Sequence, residues 1–184
     1  EDLIFEGGAC LEDDPATHGF TRIISINDLE NFVRERKTDK IHTMKGMIRD
    51  ELSTYASFPW LDKMPQLNEK WLYAAVSVQR SIKSDEEMVQ MKHIAKISAE
   101  AHKYVMRKCQ PNITEFKLRE LFKLYCGLNG APHEAYGSIC GCGPNAAILH
   151  YIVNSKVLGD GKLVLSDMGA RGNGYTADIT CTYP

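Results

Sequence analysis

The chain has 184 residues, 43% of them hydrophobic and 25% charged, and a formal net charge of −2. That composition supports a buried core and excludes a disordered chain. The near-neutral charge, with mixed signs in the stretch from Arg34 to Lys40, gives nucleic acid no basic footprint. The longest apolar stretches, Leu72 to Val78 and Leu163 to Leu165, fall far short of the roughly 20 residues that cross a bilayer.

The chain opens at Glu1 without an initiator Met and without the charged-then-apolar pattern of a signal peptide, which reads as a piece of something longer. Six cysteines, Cys10, Cys109, Cys126, Cys140, Cys142 and Cys181, show no framework spacing and sit mostly in apolar helical or strand contexts. They read as reduced thiols, and the expected compartment is cytoplasmic.

In chain order, the run from Arg22 (RIISI) predicts a strand, Asp28 to Glu35 a helix and Lys40 to Met44 a second strand, a β-α-β texture. Asn68 to Gln79 predicts a further helix. Ser84-Asp85-Glu86-Glu87 is a capping box, so a long helix starts there and a domain boundary falls at residues 83 and 84. Its apolar positions, among them Ile94, Ile97, Ala101 and Val105, keep to three- and four-residue steps until Pro111 stops it. Thr114 is placed to cap a next helix, with Glu115 in its first turn, a stripe of Leu118, Leu121, Phe122 and Tyr125, and Gly130 at its C′ position. From Tyr136 the pattern changes to short strands broken by glycine, over 137–140, 141–145 and 146–153.

Lys162 to Asp167 and Tyr175 to Tyr183 predict the two strands of a hairpin. In the second, Tyr175, Ala177, Ile179, Cys181 and Tyr183 point one way and Thr176, Asp178, Thr180 and Thr182 the other. A two-residue turn at Gly172-Asn173 sets Asp167 directly opposite Asp178. Two carboxylates at that distance call for a cation between them or a shared proton. Hard oxygen ligands favour ions such as manganese, magnesium or calcium. The plainer alternative is a turn-proximal Asp167 and a solvated Asp178 on an exposed threonine face.

The segments Tyr136 to Asn145 (YGSICGCGPN), Ile148 to Tyr151 (ILHY), Leu165 to Gly169 (LSDMG) and Asp178 to Pro184 (DITCTYP) together resemble the pita-bread metallopeptidases, prolidase and aminopeptidase P, over roughly residues 80 to 184. The resemblance implies an α+β fold class: residues 84–184 as the N-terminal half of a pita-bread, creatinase- or aminopeptidase-type catalytic domain, preceded in 1–83 by the end of an α/β N-terminal domain. It implies a proline-specific metallopeptidase that hydrolyses the Xaa-Pro bond with a metal-bridging hydroxide. Xaa-Pro dipeptidase is the first choice, with Xaa-Pro aminopeptidase as the alternative.

In that family five side chains hold two divalent ions, two aspartates and then a histidine and two glutamates. Asp167 and Asp178 match the aspartates, and the expected ions are two Mn, with Co or Zn as alternatives. The three other ligands are not matched within this chain, so this piece alone is expected to be inactive. His150 matches the family histidine beside the substrate, although a lone histidine between Leu149 and Tyr151 is also an ordinary structural hydrogen-bonder. Thr180 is placed to hydrogen-bond an oxygen at the metals or to serve only as a strand residue. Ile139 is placed as an apolar wall of the substrate pocket.

The Cys140-Gly141-Cys142 pair has the wrong spacing for a zinc knuckle, and His18, His42, His93, His102 and His133 carry surface or core roles. The stretch Ala170 to Gly174 departs from the family, which often has an acidic and an aromatic residue there. Expected partners are Xaa-Pro di- or oligopeptides, a second copy in a homodimer and a docked C-terminal fragment of the same protein, with neither nucleic acid nor membrane. The reading from another class is a non-catalytic pita-bread binding module, against which the intact aspartates speak.

Overall fold

A computed structural model of the chain describes residues 24–36, 40–46, 54–55 and 57–184. Cys10, His18 and the start of the strand expected at Arg22 lie outside the described residues. Two compact units divide between Ile82 and Lys83.

In the first unit, the Ser25 hydroxyl accepts from the Asn27 N–H and opens a 3-10 turn, Ile26–Asp28, that runs into helix α1, Leu29–Glu35. Strand β1, Ile41–His42, pairs in parallel with β2, Leu67–Asn68. Asn68 is therefore extended rather than helical. Its side-chain oxygen accepts from the Lys70 N–H at 3.0 Å, a local turn that delays helix α2 to Leu72–Ser81.

The second unit opens as its capping box dictates. The Ser84 hydroxyl accepts from the Glu87 N–H at 3.2 Å and the Glu87 carboxylate accepts from the Ser84 N–H at 2.7 Å. Helix α3 spans Asp85–Lys108 and helix α4 Glu115–Leu128. Thr114 makes no side-chain cap, so the start of α4 is held by something other than the expected hydroxyl. Its far end is a Schellman closure: Gly130, at φ 89°, donates to the Gly127 carbonyl and Ala131 to that of Cys126.

The remaining strands form two three-stranded antiparallel sheets. Strands β3 (His133–Glu134), β6 (Ala170–Gly172) and β7 (Tyr175–Thr176) form one, in the order β3-β6-β7. Strands β4 (Ile139–Cys142), β5 (Val164–Met168) and β8 (Ile179–Tyr183) form the other, in the order β4-β5-β8. Between β4 and β5 the chain has a 3-10 turn, Gly143–Ala147, irregular backbone and an isolated bridge from Val157 to Thr114, not the strand expected at 146–153.

The core joins the apolar stripe of α3 (Ile94, Ile97, Ala101, Val105) to Leu118 and Phe122 of α4 and to Val164, Met168 and Ala170 of the sheets. Each fully buried Leu or Phe there contributes about 2 kcal/mol by removal from water. Two polar groups of α3 enter that apolar contact to hold the hairpin. Ser98 accepts from the Ala170 N–H at 3.1 Å, and His102 Nε2 donates to the Met168 carbonyl at 3.0 Å. They stand four residues apart, on one helix face, and grip the backbone on either side of Gly169.

Candidate active site

Strand β5 alternates strictly. Val164, Ser166 and Met168 are buried against the helices, so Leu165 and Asp167 face the other way. Along 175–183 the burial alternates as the sequence predicts, with Asp178, Thr180 and Thr182 exposed on the face that also carries Asp167.

The register differs from the expected one. The hairpin closes on Asn173-Gly174, at φ 51° and 81°, with Gly172 opposite Tyr175 and Arg171 opposite Thr176. A type I′ turn needs positive φ at both central residues, and Asn-Gly is the pair that favours it most strongly. Every pairing therefore shifts by two: Asp167 lies opposite Thr180, not opposite Asp178. A shift of two keeps the side-chain face where a shift of one would flip it, so the aspartates still share one surface, now as diagonal neighbours.

Asp178 stands in a break between β7 and β8, across from Gly169, which separates β5 from β6. The crossing is tight: the Ala177 N–H donates to the Ala170 carbonyl at 2.9 Å, and a Cβ on Gly169 would fall 1.8 Å from the Ala177 oxygen. Only glycine fits there.

What joins the carboxylates is a residue that periodicity does not single out. Tyr136 reaches both, its hydroxyl 2.5 Å from Asp167 Oδ1 and 2.9 Å from Asp178 Oδ1. The segment that carries it is pinned by the Ala135 N–H, which donates to the Gly169 carbonyl at 2.8 Å. Burial pushes the phenol pKa far up, and the two carboxylates push it further, so Tyr136 stays a neutral donor. Its one proton serves one carboxylate at a time. Two carboxylates and a phenol form an all-oxygen donor set that fits a hard divalent cation and not a thiophilic one. Among the described residues no group of three or more His, Cys, Asp or Glu side chains gathers around that pair.

Thr180 and Ile139 complete a row across the sheet. Asp167, on the middle strand, is paired with Ile139 on one side and Thr180 on the other. Thr180 is exposed, whereas Ile139 is buried yet outside the main core cluster. His150 lies on the irregular segment between β4 and β5, exposed and at φ 54°, among the exposed Ile148, Leu149, Ile152 and Val153. The thiols of Cys109, Cys126, Cys140, Cys142 and Cys181 are all free. Burial pushes those of Cys126 and Cys140 up to about 12, which suits packing and not nucleophilic or metal chemistry.

The sequence model of metallopeptidase family M24 matches residues 89–184, more than half of the chain and all of the site just described. The chain belongs to family M24. The relatives it resembles include human Xaa-Pro dipeptidase, 31% identical over 166 residues that cover 86% of this chain and 34% of that protein. Escherichia coli Xaa-Pro aminopeptidase is 38% identical over 109 residues, covering 59% of this chain and 25% of that protein.

Among solved M24 structures, an alanine variant of E. coli aminopeptidase P superposes with a TM-score of 0.85 at 26% identity, covering 100% of this chain and 44% of that one. Proline aminopeptidase P II from Yersinia pestis gives 0.80 at 29% identity, covering 92% and 41%. The mixed helix and sheet fold is thus that of part of aminopeptidase P. The chain spans about a third of the length of the curated relatives it matches first. No helix among the described residues is long and apolar enough to cross a membrane.

Proposed function

We propose that the protein is a proline-specific metallopeptidase that hydrolyses the Xaa-Pro bond, with Xaa-Pro dipeptides as its first substrates. The observation that carries this reading is the convergence of Asp167 and Asp178 on one phenol, within the segment that matches family M24. Asp167 and Asp178 hold divalent cations, two per active site and Mn before Co or Zn, together with ligands that this chain does not gather. When bound, such ions supply Lewis-acid polarisation of the peptide carbonyl and acidify water near neutral pH.

The chain's own residues do the rest. Tyr136 fixes the rotamers of both carboxylates. Thr180, beside Asp167, offers a hydroxyl on the same face, and Ile139 on its other side excludes water from that row. His150 presents an imidazole that can donate to the substrate carbonyl as charge develops on it. The working form is a cytoplasmic homodimer, with residues 84–184 in the catalytic domain and 1–83 in the preceding one.

A second reading, an aminopeptidase acting on longer peptides, is favoured by the aminopeptidase P structures that superpose along the whole chain. The test uses protein from the whole reading frame, loaded with Mn and offered a Xaa-Pro dipeptide and a Xaa-Pro-Yaa tripeptide. Faster turnover of the dipeptide supports the dipeptidase and of the tripeptide the aminopeptidase. Cleavage of neither overturns both.

A further inference from the structure

Glu115, the first residue of α4, is a carboxylate with no exposed surface. At the opening of a helix a glutamate needs only to lie near solvent to suit the dipole. Here it turns inward instead. Burial pushes its pKa up, and four hydrogen bonds together more than offset that and hold it below the ordinary value.

All four donors come from one stretch of chain. Oε1 accepts from the Cys142 N–H and from Asn145 Nδ2, both at 2.9 Å, and Oε2 accepts from the Tyr151 hydroxyl at 2.8 Å and from the Lys156 N–H at 2.9 Å. Asn145 Nδ2 also donates to the Tyr151 oxygen at 2.9 Å, and the Glu115 N–H donates to the Lys156 carbonyl at 2.8 Å. The network is closed, since each hydrogen of the Asn145 amide has an acceptor and the tyrosine both gives and receives. Its members bracket His150, which has no ladder of its own and sits at a positive φ that costs a non-glycine residue about 1 kcal/mol. Tyr151, the next residue, is buried, while Leu149 on the other side is 85% exposed.

We infer that Glu115 is a positioning residue: through Tyr151 and Asn145 it clamps the segment between β4 and β5 so that the His150 imidazole is presented in one place. The inference rests on the assignment of His150 to substrate. Removing the clamp leaves the aspartates and their ions untouched and lets the imidazole wander, which lowers kcat more than it raises KM.

The test is a double-mutant cycle in the Mn-loaded protein from the whole reading frame, with Tyr151→Phe and His150→Ala singly and together. Tyr151→Phe keeps the ring and removes one hydroxyl. It is expected to lower kcat roughly 10-fold, with KM and metal content within about twofold, and to have no further effect in the His150→Ala background. Equal losses in both backgrounds, or no loss in either, would overturn the inference while leaving His150 in place. A His150→Ala protein with unchanged kcat removes the His150 assignment and the inference with it. Glu115→Gln, which sets an amide against two of the four donors, is the second variant. If it folds, hydrogen exchange at residues 146–153 is expected to quicken, and unchanged exchange there counts against the clamp.

Discussion

Asp167 on β5 and Asp178 in the break between β7 and β8 are fixed by the backbone ladders around them and by the grip of Ser98 and His102 from behind, whereas His150 rides on a segment without a ladder of its own, held mainly through the Glu115 side chain. The two regions are held in place by different means. Ladder bonds are repeated and share out any single loss, while the clamp around Glu115 is one closed set whose members depend on each other. The hairpin is therefore expected to tolerate side-chain changes that keep its backbone, and the segment to respond sharply to the loss of one hydroxyl.

The largest departure from that contrast comes where the hairpin has no room. Gly169→Ala drives a methyl into the Ala177 backbone and is expected to cost about 3 kcal/mol or more, read as a fall in the denaturant midpoint. An unchanged midpoint would mean that the strands do not cross this closely.

Next in size is Tyr136→Phe, which leaves both carboxylates and the ladder but removes the phenol oxygen between them. Divalent-ion affinity, measured by calorimetry, is expected to fall by about 10- to 100-fold, and equal affinity would show that the ladder alone orients the pair.

The smallest effect is the acid dependence of the clamp. Because the Glu115 pKa is held down in the folded state, its contribution to stability is fully present above the ordinary carboxylate value near 4.5 and is lost as pH falls below it. Thermal unfolding between pH 6 and 3 should show that loss in the parent and less of it in Glu115→Gln, and parallel profiles would contradict the account.

The parts of the molecule that repeat were legible in the sequence. The capping box at Ser84, the apolar stripes of α3 and α4, the closing Gly130 and the alternation of 175–183 all follow from local rules with a fixed period. The parity of the aspartates was legible too, but their exact pairing was not, because Gly172-Asn173 and Asn173-Gly174 are both plausible turns and only positive φ at Asn173 and Gly174 chooses between them. Tyr136 and Glu115 were opaque for a different reason. One meets the aspartates from 31 and 42 residues away, and the other occupies the place of an ordinary first-turn acid. No periodicity reports a side chain that reaches across the fold, and the absence of a Thr114 cap became visible only with Glu115 turned inward.

The central claim is that Asp167 and Asp178 act together as one half of a metal site. It is tested most directly by titrating Mn into protein from the whole reading frame, as the parent and as Asp167→Asn and Asp178→Asn, with unfolding followed in parallel. The account predicts tight binding of two ions in the parent and loss of binding in each variant without loss of the fold. Undiminished binding in both variants would contradict it.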